Sequence, residues 1–176
     1  MPTIHQTPRI RRWIAWCALL CAFANLPVAL AVESGQPAPD FTVADAAGKP
    51  VQLASLRGKV VYVDFWASWC APCRRSFPWM NAMHQKYAGA GLVVLGINVD
   101  KKREAADKFL AQVPAQFSIG YDDKGAIPTL YAVKAMPSSL LIDAQGRIVY
   151  VHAGFRDEDT ADLEARIRAA LATRPN

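Results

Sequence analysis

Residues 63 to 73 read Val63-Asp64-Phe65-Trp66-Ala67-Ser68-Trp69-Cys70-Ala71-Pro72-Cys73. They continue a run of β-branched and aromatic residues that begins at Val60, and such a run is typical of a buried strand. Pro72 suits the first turn of a helix, where its missing N–H would have no partner in any case. The sequence therefore predicts that Cys70 lies directly after a strand, at the N-terminus of the following helix.

The position predicted for Cys70 has a chemical consequence. Unpaired N–H groups and the partial positive charge of a helix N-terminus stabilise a thiolate, so we expect Cys70 to be the nucleophile in thiol–disulfide exchange. Cys73 lies one helical turn further on, and we expect it to resolve the mixed disulfide by attacking Cys70. The dipeptide between them, Ala71-Pro72, is expected to tune the redox potential of the pair.

Two other functions of a Cys-x-x-Cys pair compete with redox chemistry. One is half of a zinc site, but the other two cysteines lie in the first 31 residues, and His5, His84 and His152 have no zinc-finger spacing. The other is a permanent structural disulfide, but closing so short a loop adds little stability. The sequence favours redox chemistry, with no metal and no cofactor.

The first 31 residues are typical of an export signal. A basic region ends at Arg12, twelve apolar residues follow over 13–24, and Ala29-Leu30-Ala31 has the small-x-small pattern of a cleavage site. We therefore expect a signal peptide over residues 1–31, a linker over 32–36 and one domain over 37–176, located in the periplasm. The alternative is an uncleaved N-terminal anchor, and the protein would contact the membrane only in that case.

The charge of the chain gives little support to nucleic-acid binding. The formal net charge is +5, but three of the 20 basic residues are arginines within the first twelve positions. Residues 32–176 keep 17 basic residues against 15 acidic ones and contain no basic run interleaved with aromatic residues. Nucleic acid is therefore not expected as a partner.

The order of apolar and polar segments predicts an α/β fold. Strands alternate with helices before a hairpin and a final helix, which indicates a central mixed sheet flanked by helices. Asp100 is expected to cap the helix that follows the second long strand. The predicted strands are 41–43, 51–53, 60–65, 92–99, 117–121, 139–142 and 148–151, and the predicted helices are 74–87, 101–113 and one that begins near Asp157 or Asp159.

Asp64 is an acidic residue in an otherwise apolar strand, six residues before Cys70. Alternation along the strand places Tyr62 and Trp66 on the same face of the sheet as Asp64. Burial beneath the cysteines would raise the pKa of this carboxyl and make Asp64 a proton acceptor for Cys73. The alternative is a side chain that reaches solvent.

Two well-separated motifs resemble the TlpA/ResA-like family of exported thioredoxin-fold oxidoreductases. The first motif covers residues 63–73 and continues with Arg74 and Pro78. It is preceded by three shorter matches to the family pattern, Pro39-Asp40-Phe41, Gly48-Lys49 and Gly58-Lys59. The second motif covers residues 136–143 and is followed by Gly146 in the next turn. The resemblance extends over residues 35–172 and implies a thioredoxin-like fold with an N-terminal β-hairpin and a central strand–helix insertion. It also implies protein substrates with disulfides, such as apocytochrome c or copper-site proteins of respiratory oxidases, and a membrane electron donor of the DsbD/CcdA type.

The family pattern assigns two residues to substrate binding in the second motif. Pro137 falls where the family has a cis-proline beside the active site, and the backbone of Met136 would pair there with an extended substrate peptide. An ordinary proline at the start of a strand is the alternative. Pro128 is the other candidate, but only Pro137 is followed by the strand and hairpin of the motif.

Three further residues near the cysteines bear on the site. Trp69 is expected to contact substrate, whereas Trp66 is better explained by filling the core. Many relatives carry an acidic residue three positions after the second cysteine, where this chain has Ser76. This departure favours proton transfer through Asp64.

The residues between the cysteines predict the direction of electron flow. Ala71 and Pro72 have no side chain that would stabilise a thiolate, so a reducing couple is expected. The alternative is a copper-binding or copper-delivery module, in which the same thiolates hold Cu(I) and His152 or Met136 adds a ligand. A thiol peroxidase is rejected, because Ala67 stands where that chemistry needs a threonine or serine.

Overall fold

The computed structural model describes residues 34–174. Seven strands and four helices follow one another in this part of the chain. The strands are β1 (Thr42–Asp45), β2 (Pro50–Gln52), β3 (Val60–Trp66), β4 (Leu92–Asn98), β5 (Ser118–Tyr121), β6 (Ser138–Ile142) and β7 (Ile148–Ala153). The helices are α1 (Ala71–Tyr87), α2 (Arg103–Gln112), α3 (Ala126–Leu130) and α4 (Thr160–Ala172), and short 3₁₀ turns cover Leu53–Leu56 and Asp157–Asp159.

The strands form one mixed sheet in the order β2-β1-β5-β4-β3-β6-β7. β3, β4 and β5 are parallel, β6 runs antiparallel to β3, and β1–β2 and β6–β7 are antiparallel hairpins. All seven residues of β3 are buried. The predicted α/β fold and the thioredoxin-like arrangement implied by the family resemblance are both confirmed. The carboxyl end of β3 lies beside the start of β6.

Alternation along β3 divides the core into two clusters. One cluster contains Tyr62 and Trp66 and packs under α1, α2 and α4, and the other contains Val61, Val63 and Phe65 and packs against α3. The first cluster is strongly aromatic: the ring of Phe77 lies 4.9 Å from that of Trp66 and 5.0 Å from that of Phe109. Edge-to-face contacts of this kind add about 1 kcal/mol each beyond the area they bury. They hold the first turns of α1, which carry the cysteines, against the sheet.

Two features differ from the sequence-based expectations. α2 begins at Arg103 without a side-chain cap, so the prediction that Asp100 caps it is wrong. The Asp100 carboxylate instead accepts hydrogen bonds from Ser68, which lies in the loop before the cysteines. The short helix α3 was not predicted, because its five residues include Pro128 and are too few to show a helical period.

Residues 34–38 lie along the edge strand β7. The N–H of Gly35 donates to the carbonyl of Ile148 at 2.6 Å, and the N–H of Ile148 donates to the carbonyl of Gln36 at 2.9 Å. This contact covers part of an edge that would otherwise present unpaired backbone groups.

The expected signal peptide over 1–31 lies outside the described residues. Each helix of the described part is too short or too polar to cross a bilayer.

Candidate active site

Cys70 occupies the N-cap position of α1, and a loop of three residues joins it to the carboxyl end of β3 at Trp66. Its Sγ accepts a hydrogen bond from the backbone N–H of Cys73 at 3.3 Å. The two sulfurs form a disulfide in this structure, with 3% of Cys70 and none of Cys73 exposed to solvent. The amide that contacts Sγ is therefore placed to stabilise a Cys70 thiolate once the disulfide is reduced.

Asp64 lies on β3 and is 1% exposed. Ser139, its direct partner on β6, donates from Oγ to one carboxylate oxygen at 2.7 Å, and the second oxygen has no partner among the described residues. Burial raises the pKa of Asp64 to about 7, while the hydrogen bond from Ser139 acts in the opposite direction. A carboxyl with this pKa exchanges a proton near neutral pH, as a proton acceptor in thiol chemistry must.

The peptide bond between Met136 and Pro137 is cis. β6 begins at the next residue, Ser138, which pairs with Phe65 near the end of β3. Met136 and Pro137 therefore lie at the same end of the sheet as the carboxyl end of β3, which leads to Cys70. Pro128 is instead part of α3, whose buried residues belong to the core cluster on the other side of β3.

The two tryptophans before Cys70 have opposite environments. The ring of Trp66 is fully buried, 4.9 Å from that of Phe77 and 4.8 Å from that of Phe109. Trp69 exposes 70% of its surface directly beside Cys70. An exposed aromatic ring at this position offers apolar contact to a molecule that approaches the sulfur.

Ser76 is buried, and its hydroxyl donates to the carbonyl of Cys73 at 3.1 Å. α1 contains no acidic residue. Two arginines of its first turns remain near the pair: Arg74 donates to Gln112, and Arg75 donates to the carbonyl of Phe155. The helix that carries the cysteines therefore supplies no carboxyl, and the buried carboxyl of Asp64 belongs to the sheet.

His152 is one of the two further copper ligands that the sequence offers. Its Nε2 lies 3.3 Å from a carboxylate oxygen of Asp159, and its ring stacks on Tyr150. Within residues 34–174, no three or more His, Cys, Asp or Glu side chains form a group that could hold a metal ion. Among the described residues, the two sulfurs therefore have no His, Asp or Glu side chain beside them that would complete a metal site.

Two side chains of the site were missed in the sequence. Ser139 contacts Asp64, and Ser68 contacts Asp100, across segments that are far apart in the chain. A signal for Ser139 was present, because a hydroxyl stands there at the start of an otherwise apolar strand. No comparable pattern marks the pairing of Ser68 with Asp100.

Known proteins resemble this chain in sequence and in structure. Residues 34–151 match the AhpC/TSA family. The thiol-disulfide oxidoreductase ResA of Bacillus thuringiensis subsp. konkukian is 35% identical over 118 residues, which are 67% of this chain and 68% of that protein. ResA of Bacillus subtilis is 30% identical over 127 residues, or 72% of this chain and 71% of that protein. A crystal structure described as thiol:disulfide interchange protein DsbE from Chlorobium tepidum has a TM-score of 0.77 and 51% identity, and the match covers 80% of this chain and 99% of that one.

The matched region contains the two cysteines, the strand before them and the cis-proline. The similarity in sequence and the similarity in fold point to the same class of protein, so the resemblance inferred from the two motifs is confirmed. The chain therefore belongs to the AhpC/TSA family and, within it, to the ResA-like thiol-disulfide oxidoreductases, and it is an enzyme of that class.

Proposed function

We propose that the protein is a periplasmic protein-disulfide reductase in which Cys70 is the nucleophile, Cys73 the resolving cysteine and Asp64 the proton acceptor. The observation that carries the proposal is the position of Cys70, which follows the short loop after β3 and caps the N-terminus of α1, where its sulfur accepts the N–H of Cys73. A thiolate at such a position is stabilised by the helix N-terminus, and a stabilised thiolate is the nucleophile in disulfide exchange. The exposed ring of Trp69 and the backbone around Met136 and Pro137 would hold the substrate beside it.

The reaction transfers two electrons from the enzyme to the substrate. The Cys70 thiolate attacks one sulfur of the substrate disulfide, that S–S bond breaks, and one substrate thiolate leaves. The Cys73 thiol then gives its proton to the Asp64 carboxylate and attacks Sγ of Cys70 in the mixed disulfide. This step forms the Cys70–Cys73 disulfide and releases the second substrate thiolate. The substrate is reduced and the enzyme oxidised.

The residues between the cysteines support a reducing direction. Neither Ala71 nor Pro72 has a side chain that donates a hydrogen bond to the thiolate, so the residues between the cysteines add nothing to the stabilisation that the helix N-terminus gives the reduced form. We expect a potential nearer to that of thioredoxin, about −270 mV, than to that of protein disulfide isomerase, about −180 mV. A redox titration that gives a potential above about −170 mV would overturn this direction.

The proposal extends to the partners and the location of the protein. Its substrates would be exported proteins with disulfides, such as apocytochrome c or copper-site proteins of respiratory oxidases. A membrane donor of the DsbD/CcdA type would reduce the Cys70–Cys73 disulfide again. Residues 1–31 would direct export, and mass spectrometry of the periplasmic protein should find an N-terminus at Val32. An intact N-terminus in the membrane fraction would instead establish an anchor.

Insulin reduction with dithiothreitol tests the proposed chemistry. Cys70→Ser and Cys73→Ser should both lose turnover, because each removes one sulfur of the couple. Cys73→Ser should in addition accumulate a mixed disulfide with its substrate, whereas Cys70→Ser should trap none. Full turnover in Cys70→Ser would end the proposal. The same Cys73→Ser variant, expressed in the native host, would capture the physiological substrate for identification.

A further inference from the structure

The loop between β3 and α1 is held by the residues that follow β4. The N–H of Val99 donates to the carbonyl of Trp66 at 3.0 Å. One residue after Val99, the Asp100 carboxylate accepts the backbone N–H of Ser68 at 2.8 Å and the hydroxyl of Ser68 at 2.9 Å. The backbone that leads to Cys70 is thus attached to the end of β4 at two points.

The Asp100 carboxylate is itself held in one orientation. Asn98 donates from Nδ2 at 2.8 Å to the oxygen that also accepts the amide of Ser68, and its Oδ1 accepts the N–H of Asp100 at 3.1 Å. Asn98 and Asp100 are both buried. Among residues 34–174 no cation forms an ion pair with Asp100. Its partners are neutral donors, and hydrogen bonds to an ionised carboxylate are about twice as strong as those between neutral groups.

We propose that Asp100 is a positioning residue for Cys70, which acts through Ser68 on the loop that carries the nucleophile. This inference rests on the proposed reductase function. The N–H of Cys70 donates to the carbonyl of Ala67 at 3.1 Å, which closes a turn around Ser68. Fixing Ser68 therefore also fixes the backbone from which the Cys70 sulfur projects. Exchange requires the attacking sulfur in line with the substrate disulfide, and a preset orientation lowers the entropic barrier to that geometry.

The geometry of the contact also explains why Trp69 can stay exposed. Its two neighbours are anchored, Ser68 by Asp100 and Cys70 by the first turn of α1. The backbone at Trp69 is therefore held by contacts of its neighbours, and the Trp69 ring remains exposed to solvent. Asp100 would thus orient both the nucleophile and its aromatic neighbour.

Stopped-flow reduction of 5,5′-dithiobis(2-nitrobenzoate) by the fully reduced protein tests this inference. Ser68→Ala should lower the second-order rate constant about 10-fold, as expected for losing a hydrogen bond to a charged group, and Asp100→Asn should lower it to a similar extent. Ser68→Thr keeps the hydroxyl and should stay within about twofold of the wild type. The double variant Ser68→Ala with Asp100→Asn should react no more slowly than the slower single variant, because both changes break the same contact.

A matched control is available in the β1–β2 turn. There the carboxylate of Asp45 accepts the backbone N–H groups of Ala47 and Lys49, each at 2.8 Å, so it also organises a loop, but away from the cysteines. Asp45→Asn should leave the rate constant unchanged. Urea unfolding of every variant separates a loss of stability from a loss of rate.

The outcomes distinguish this inference from the proposed function. A wild-type protein that reacts no faster than free cysteine would remove the proposed function and the role of Asp100 together. A reactive wild type with equally reactive Ser68→Ala and Asp100→Asn variants would remove the role of Asp100 alone. Multiplicative losses in the double variant would also overturn it. Ser68 is only partly buried, so Ser68→Ala keeps the test decisive even if Asp100→Asn fails to fold.

Discussion

Asp64→Asn should stabilise the folded protein above neutral pH. The Asp64 carboxyl is 1% exposed and has one oxygen without a partner in the described structure, and burial raises its pKa from the ordinary 3.8 to about 7. In the unfolded chain the same carboxyl ionises at its ordinary pKa. Between the two values the unfolded state has released a proton that the folded state still holds, so rising pH favours unfolding through this residue. Asparagine keeps the shape and an acceptor for Ser139 but has no charge to bury.

The size of the effect follows from the two pKa values of Asp64. A pKa difference of about 3 between the folded and the unfolded state corresponds to roughly 4 kcal/mol. Below pH 3.8 the carboxyl is protonated in both states, and its ionisation then makes no contribution. The penalty grows between that pH and pH 7 and is complete above it. The stability of Asp64→Asn relative to the wild type should therefore rise by about 4 kcal/mol from pH 4 to pH 8.

Urea unfolding of the oxidised proteins measures this difference, because the Cys70–Cys73 disulfide does not titrate. Comparing each variant with the wild type at the same pH cancels the ionisation of all other groups. Asp123→Asn removes a charge from an exposed position and should show no such rise. A rise below about 1 kcal/mol for Asp64→Asn would refute the reasoning, because the carboxyl would then be solvated and ordinary in the folded protein. Its role as proton acceptor would fail with it.

Three other substitutions test separate parts of the structure. Trp69→Ala should raise KM in insulin reduction while changing the free energy of unfolding by less than about 0.5 kcal/mol, because the ring is 70% exposed, and an unchanged KM would exclude it from substrate binding. Phe77→Ala should lower the free energy of urea unfolding by about 3–5 kcal/mol, because the ring is fully buried among other aromatic rings. Ala132→Gly should raise the free energy of unfolding by about 1 kcal/mol, because Ala132 has a φ of 53°, a conformation that favours glycine. A loss of stability there would contradict the left-handed backbone.

Neighbouring residues in the chain are enough to predict the centre of the site. The apolar run before Cys70 predicts β3, and Pro72 predicts that a helix begins there, because both signals act over a few residues. The alternation of side chains along β3 predicts that Asp64 and Trp66 face the same side, and all seven residues of the strand are buried. The two sulfurs of the disulfide and the buried carboxyl could therefore be named before the fold was known.

Contacts between distant segments were decided by the tertiary structure alone. Ser139 reaches Asp64 because β6 lies antiparallel beside β3, and Asp100 reaches Ser68 because β4 runs parallel to β3 and ends at the same edge of the sheet. In the sequence, Asp100 has the pattern of a helix cap, because an acidic residue stands just before a helix. The sequence does not show whether its carboxylate binds the amides of that helix or the amide of a distant residue such as Ser68. A hydrogen bond forms only with a donor within about 3 Å, and that proximity depends on how the strands are ordered in the sheet.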